Sequence, residues 1–181
     1  YLSRIKGDKS FPKRSLKKII DNNSLDIKSI KSIAFYERPV SAFLFPLKTA
    51  ASHLPESLAF MSHQLRNFNK SSINCFSDVA DFLPGLENKL IYLDHHLSHT
   101  LTALPYSNKK NNLCSVVVDG FGDRNTTSIS YLNNPLEIKE LWDCKYPFSL
   151  GLYYSAITDF LGFQVNEGEY KVMGLSAFGR E

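Results

Sequence analysis

The chain has 181 residues, 43% of them hydrophobic and 22% charged, with a formal net charge of +3. That balance suits a globular domain with one real core and argues against disorder, and the basic excess is too small to call for a nucleic-acid partner. No apolar run approaches the roughly 18 residues of a membrane span, the opening residues do not read as a signal peptide, and Cys75, Cys114 and Cys144 are too scattered for a disulfide framework or a metal knuckle; a reducing, cytoplasmic setting is expected.

In chain order, "SFPKRSLKKIIDNN" reads as a helix with Pro12 in its first turn and an apolar stripe at Leu16, Ile19 and Ile20. Its lysines, like those of the preceding "SRIKGDK", read as a solvated face. A short strand follows over residues 32–36, ended by Pro39. Helices are expected over 49–66 and 72–82, with Pro46, Pro55 and Pro84 as punctuation. "LIYL", 90–93, is an apolar run ending in polar residues. Residues 114–118 predict a buried strand with Asp119 at its carboxyl end, and "TTSISYL" alternates like a half-exposed strand. "LEIKELWDC" is a third, antiparallel-looking piece. Leu152, Tyr153, Ala156, Ile157, Phe160 and Leu161 give 149–163 helical spacing, stopped at Gly162, and "GEYKVMGLSAF" opens like a further helix. Strands mixed with helices predict an α/β layer. "NKS" at Asn69 and "NTT" at Asn125 match the glycosylation triplet, but nothing else suggests secretion.

"DHHLSHT", 94–100, gathers three of the five histidines of the chain. On a helix, His95 and His99 share one face and could share a metal, whereas His96 stands about 100° away. A carboxylate should complete the set: Asp94 adjoins the pair, and Asp119 is the better candidate if the strand ends converge on one crevice, as in parallel α/β sheets. On spacing alone, two such histidines are more often polar surface or satisfied core residues than metal ligands. The zinc-protease signature is excluded, because Leu97 and Ser98 stand where H-E-x-x-H needs its glutamate.

Two glycine-bearing stretches suggest an anionic ligand. In "VVVDGFGDRNTTS", Gly120 and Gly122 let backbone N–H groups approach a phosphate, with Thr126, Thr127 and Ser128 as further donors; a plain hairpin turn is the alternative. In "NEGEYKVMGLSAFG", Lys171 stands near a helix start among Gly168, Gly174 and Gly179, beside Glu169; a solvated lysine on an amphipathic helix is the alternative.

Together, "DHHLSHT", "VVVDGFGDRNTTS", "PFSLGLYYSAITDFLGF" and "NEGEYKVMGLSAFG" resemble, in order and spacing, the amino-terminal half of the NodU/CmcH-type O-carbamoyltransferases. "LSRIKGDKSFP" resembles that family's E-R-x-x-R-x-K-H-D-x-x-F-P segment and "YERPV" its Y-x-K-P stretch, while 41–88 matches loosely. The resemblance implies a Kae1-like domain of the actin–Hsp70–sugar kinase (RNase H-like) fold group. It also implies a two-stage reaction, in which a YrdC-like domain of the same full-length chain makes carbamoyl-adenylate from carbamoyl phosphate and ATP. The Kae1-like domain then passes the carbamoyl group to a hydroxyl of a small-molecule acceptor, with a divalent metal, iron first and Mg2+ or Mn2+ as alternatives.

By the same resemblance the metal ligands fall on His95, His99 and Asp119. The nucleotide contacts fall on Gly120, Gly122, Thr127, Glu169, Lys171 and Gly174, and the carbamoyl or phosphate contact on Lys6; Lys6 and Asp119 are the expected catalytic pair. Gly7 replaces the histidine of K-H-D, Ser176 an alanine and Phe178 a tyrosine. The chain begins at Tyr1 and ends at Glu181, so residues 1–181 are expected to be a piece of that domain. A first, histidine-bearing strand, a later metal-binding aspartate and the YrdC-like domain would lie beyond it, and such a piece is not expected to catalyse both stages alone. A tRNA threonylcarbamoyl transferase of the same superfamily and a non-catalytic nucleotide-binding module are the rival expectations.

Overall fold

The computed structural model describes residues 10–66, 74–109, 111–135 and 137–180. The expectations for Lys6, Gly7 and Asn69 lie outside those residues. The chain divides into two units, Tyr1–Leu93 and Asp94–Glu181.

In the first unit, α1 runs Lys13–Asn22 with Leu16 and Ile20 half-buried, and Phe11 sets its ring edge-on to Phe82. Strand β1, Ile33–Phe35, pairs in parallel with β2, Leu90–Tyr92, in the register Ile33 to Leu90 and Phe35 to Tyr92. Between them lie α2, Pro39–Ala51, α3, Leu58–Arg66, and α4, Cys75–Phe82. The expected helix over 49–66 is therefore two helices, broken after Ala51, and the first begins ten residues earlier. Pro39 opens α2 instead of merely ending β1, and Pro46 is buried inside that helix. A proline costs a helix one backbone hydrogen bond and clashes one turn back; burial of its ring outweighs that local preference here. Cys75, Val79, Leu83 and Leu86 form the core of this unit with Ala50.

The second unit opens with α5, His95–Ala103, and continues as an antiparallel meander of β3, Leu113–Gly122, β4, Asn125–Asn134, and β5, Glu137–Lys145. Helices α6, Leu150–Phe160, and α7, Glu169–Ser176, follow. Helices α5 and α6 both pack on β3. Helix α6 ends in a left-handed glycine cap: Gly162 has φ 78°, its N–H donates to Asp159 O and that of Phe163 to Thr158 O.

The mixed α/β expectation holds, with two corrections to the strand carrying Asp119. It is not a buried strand, because Cys114, Val116 and Val118 are exposed on one face while Val117 is buried on the other. Nor does Asp119 end a parallel strand: β3 continues to Gly122, its partners are antiparallel, and the register with β4 breaks between Val118 and Gly122. Asp119 therefore sits at an irregularity of the ladder, where a bulge re-aims side chains.

Candidate metal centre

Helix α5 starts where the Asp94 carboxylate accepts the Leu97 N–H at 3.3 Å, a side-chain N-cap. The helical turn then stacks His95 and His99, whose Nε2 atoms stand 3.0 Å apart. Asp119 Oδ2 lies 2.9 Å from His95 Nε2 and 3.5 Å from His99 Nε2. Donors each about 2.1 Å from one ion, at 90–110° around it, stand about 3.0–3.4 Å apart. The three edges fit a shared cation, and the donor types suit one. The same distances serve a protonated imidazole donating to Asp119, so a proton and a cation compete for one place. The His95 side chain is 15% exposed and that of His99 52%, so the triangle opens toward solvent past His99.

Asp119 is held from several sides. The Gly120 N–H donates to its Oδ1 at 2.6 Å, and Ser149 Oγ–H donates to Gly120 O at 2.7 Å while capping α6 by accepting the Leu152 N–H at 3.1 Å. A Cβ on Gly151 would fall 2.7 Å from Gly120 Cα, so only glycine allows α6 this close to the strand. The His95 hydrogen bond, helped by the Gly120 N–H and the two imidazoles against the cost of burial, holds the Asp119 carboxyl down at about 2. It is an anion at any working pH.

His96 points elsewhere. It is 3% exposed, its Nδ1 lies 2.7 Å from Ser128 Oγ on β4, and burial lowers its pKa. With Thr100, Ser128, Ser130, Ile138 and Glu140 it lines a cavity of about 550 Å³ on the side of α5 away from His95 and His99.

The glycines and the later helix stand differently from the cradle expected of them. The N–H of Gly120 is engaged by its own neighbour's carboxylate. At Gly122 a Cβ would lie 2.2 Å from His95 Cδ2, so that glycine makes room for the imidazole ring. Thr127 pairs with Val118, and alternation along β3 puts both on the sheet face opposite Val117 and Ser115, the face that receives Thr100 of α5. Glu169 Oε1 accepts from Ser155 Oγ at 3.3 Å and from the Asn166 N–H at 2.8 Å, and Lys171 Nζ lies 5.7 Å from the Phe163 ring centre and 5.9 Å from that of Tyr170. Around Gly174 a Cβ would meet nothing within 4 Å.

Sequence reasoning missed Asp123, Ser149 and Gly151. Asp123 is 3% exposed and its Oδ2 accepts the His95 N–H at 3.0 Å. The second acid of "DGFGD" was the available signal for it, and the S-x-G at a helix start was the signal for the other two.

The profile of the carbamoyltransferase N-terminus family matches residues 2–181, and the chain belongs to that family. It is 31% identical over 184 residues to an uncharacterized protein of Synechocystis sp., covering 98% of this chain and 30% of the relative. It is 28% identical over 180 residues to the nodulation protein NolNO of Sinorhizobium fredii, covering 98% and 25%. An uncharacterized protein of Methanocaldococcus jannaschii is 36% identical over 107 residues, covering 57% and 20%. The chain thus spans at most about a third of the length of these curated relatives.

Proposed function

We propose that this chain carries the cation site of the transfer domain of an O-carbamoyltransferase. The observation that carries the reading is the triangle of His95 Nε2, His99 Nε2 and Asp119 Oδ2, and family membership supports it. We read the mixed α/β fold as part of a Kae1-like domain of the actin–Hsp70–sugar kinase group, residues 1–181 being a piece of it. A YrdC-like domain elsewhere in the full-length chain would supply carbamoyl-adenylate from carbamoyl phosphate and ATP.

In the transfer step the oxygen of a small-molecule acceptor's hydroxyl bonds to the carbamoyl carbon, its proton passes to solvent, and the bond from that carbon to the adenylate oxygen breaks to release AMP. A bound divalent ion would supply Lewis acidity to the carbonyl or acceptor hydroxyl; two imidazoles with one carboxylate favour iron, with Mg2+ or Mn2+ as alternatives. His95 and His99 supply neutral donors, Asp119 supplies the compensating charge, and the exposed side of His99 leaves an approach open. Lys171 is the best supported of the proposed adenylate contacts, because its ammonium lies against aromatic rings and can turn to a phosphate. Gly120 and Gly122, at the end of β3, and Glu169 and Gly174, on the helix of Lys171, stay in that set. Thr127 has the least support, being on the other face of the sheet, and Lys6 rests on the family resemblance alone.

Asp119→Ala in the full-length protein is expected to lower carbamoyl transfer by at least about 10²-fold, while carbamoyl-adenylate formation from carbamoyl phosphate and ATP persists. Equal loss of both steps would contradict the division of labour.

A further inference from the structure

We infer that Gly122 and Asp123, the end of the β3–β4 turn, are positioning residues that hold His95 in its ligating pose; the inference rests on the reading of His95, His99 and Asp119 as cation ligands. Gly122 pairs with Asn125, so Asp123 and Arg124 form the two-residue tip of a hairpin. A hairpin tip is ordinarily solvated, yet Asp123 is 3% exposed and adopts φ 54°, a left-handed conformation that aspartate tolerates better than most residues. From there it reaches beyond the hairpin: its Oδ2 accepts the N–H of His95 at 3.0 Å. That N–H is among the first-turn donors of α5 that no helical carbonyl can reach, and Asp94 takes another, at Leu97.

Gly122 fixes the other end of the same residue. A Cβ there would lie 2.2 Å from Cδ2, 2.6 Å from Cγ and 2.9 Å from Cβ of His95, so the imidazole lies against bare backbone. One five-residue stretch of β3 and its turn thus provides a ligand, Asp119, the space for the second ligand's ring, Gly122, and the anchor for that ligand's backbone, Asp123. A helix start held only by Asp94 could rotate about its axis; held also at the His95 N–H and ring, it presents Nε2 to Asp119 at one distance, 2.9 Å.

The test is titration of the metal-free full-length protein with Co2+ alone, followed by its visible absorption, alongside the melting midpoint of the metal-free form. Asp123→Ala and Gly122→Ala are expected to weaken Co2+ binding about 10- to 100-fold, the cost of losing a group that orients a ligand. Asp123→Asn, whose amide oxygen still accepts the N–H, is expected to bind within about threefold of the wild type. Asp94→Ala, which removes the other cap, controls for general weakening of α5. The inference is overturned if Asp123→Ala binds Co2+ like the wild type, or loses no more affinity than Asp94→Ala at a comparable melting midpoint. If Asp123→Ala does not fold, Gly122→Ala decides, since the nearest atoms its methyl meets all belong to the His95 side chain; wild-type affinity there overturns the inference, and so does loss of folding in both. His99→Ala separates the two levels: if it binds Co2+ unchanged, the cation reading itself fails, whereas if it alone loses Co2+, only the positioning role fails.

Discussion

At the residue scale, Asp119 and Cys75 show opposite uses of burial. Asp119 is kept charged because donors surround it, its Oδ2 meeting two imidazoles and its Oδ1 the Gly120 N–H. Cys75, 2% exposed in the first unit, has no such help: burial, with Asp78 and Glu37 adding, pushes its thiol from 9.0 up to about 11. A folded pKa above the unfolded one means that the neutral thiol adds stability below about pH 9, and that this contribution is lost as pH rises toward 11. The stability difference between wild type and Cys75→Ala, measured by urea unfolding from pH 8 to 11, is therefore expected to narrow across that window; curves that stay parallel would contradict it. Alkylation under native conditions should likewise modify exposed Cys114 well before Cys75.

At the scale of elements, the joint between β3 and α6 decides where the carboxylate stands. Ser149 ties the helix start to Gly120 O, and Gly151 lets the helix touch the strand backbone. Helix propensity alone favours alanine over glycine by about 1 kcal/mol. The contact predicts the reverse for Gly151→Ala, because the new methyl meets the backbone of Gly120 at 2.7 and 2.8 Å, which cannot swing aside like a side chain. Destabilisation of about 1–3 kcal/mol in urea unfolding is expected, and a stabilised variant would show that α6 is not held against the strand.

The same scale explains what the sequence made legible. His95 and His99 could be paired because helical spacing alone puts them on one face, and Asp119 could be singled out because an acid follows an apolar run and precedes glycines. The anchor from Asp123 spans 28 residues to His95, and local periodicity carries no record of such a contact. Pro46 misled for a related reason: its local cost to a helix is visible, while the burial that outweighs it belongs to the folded unit. Thr127 looked like part of a glycine-rich cradle in one dimension, but period-two alternation sends it to the other side of the sheet.

At the scale of the molecule, the three candidate ligands all belong to the unit Asp94–Glu181, and the turn and helix that steady them lie in the same unit. The relatives are three to four times as long as the matched stretch, so under the proposed function acceptor choice and adenylate supply are tested on the full-length protein, and the cavity beside His96 is a second place to look for bound ligands. The claim beneath all of this is that His95, His99 and Asp119 hold a divalent ion. Elemental analysis of the purified full-length protein tests it most directly. About one ion per chain is expected in the wild type and essentially none in the His95→Ala/His99→Ala double variant; equal metal in the two proteins would contradict the account.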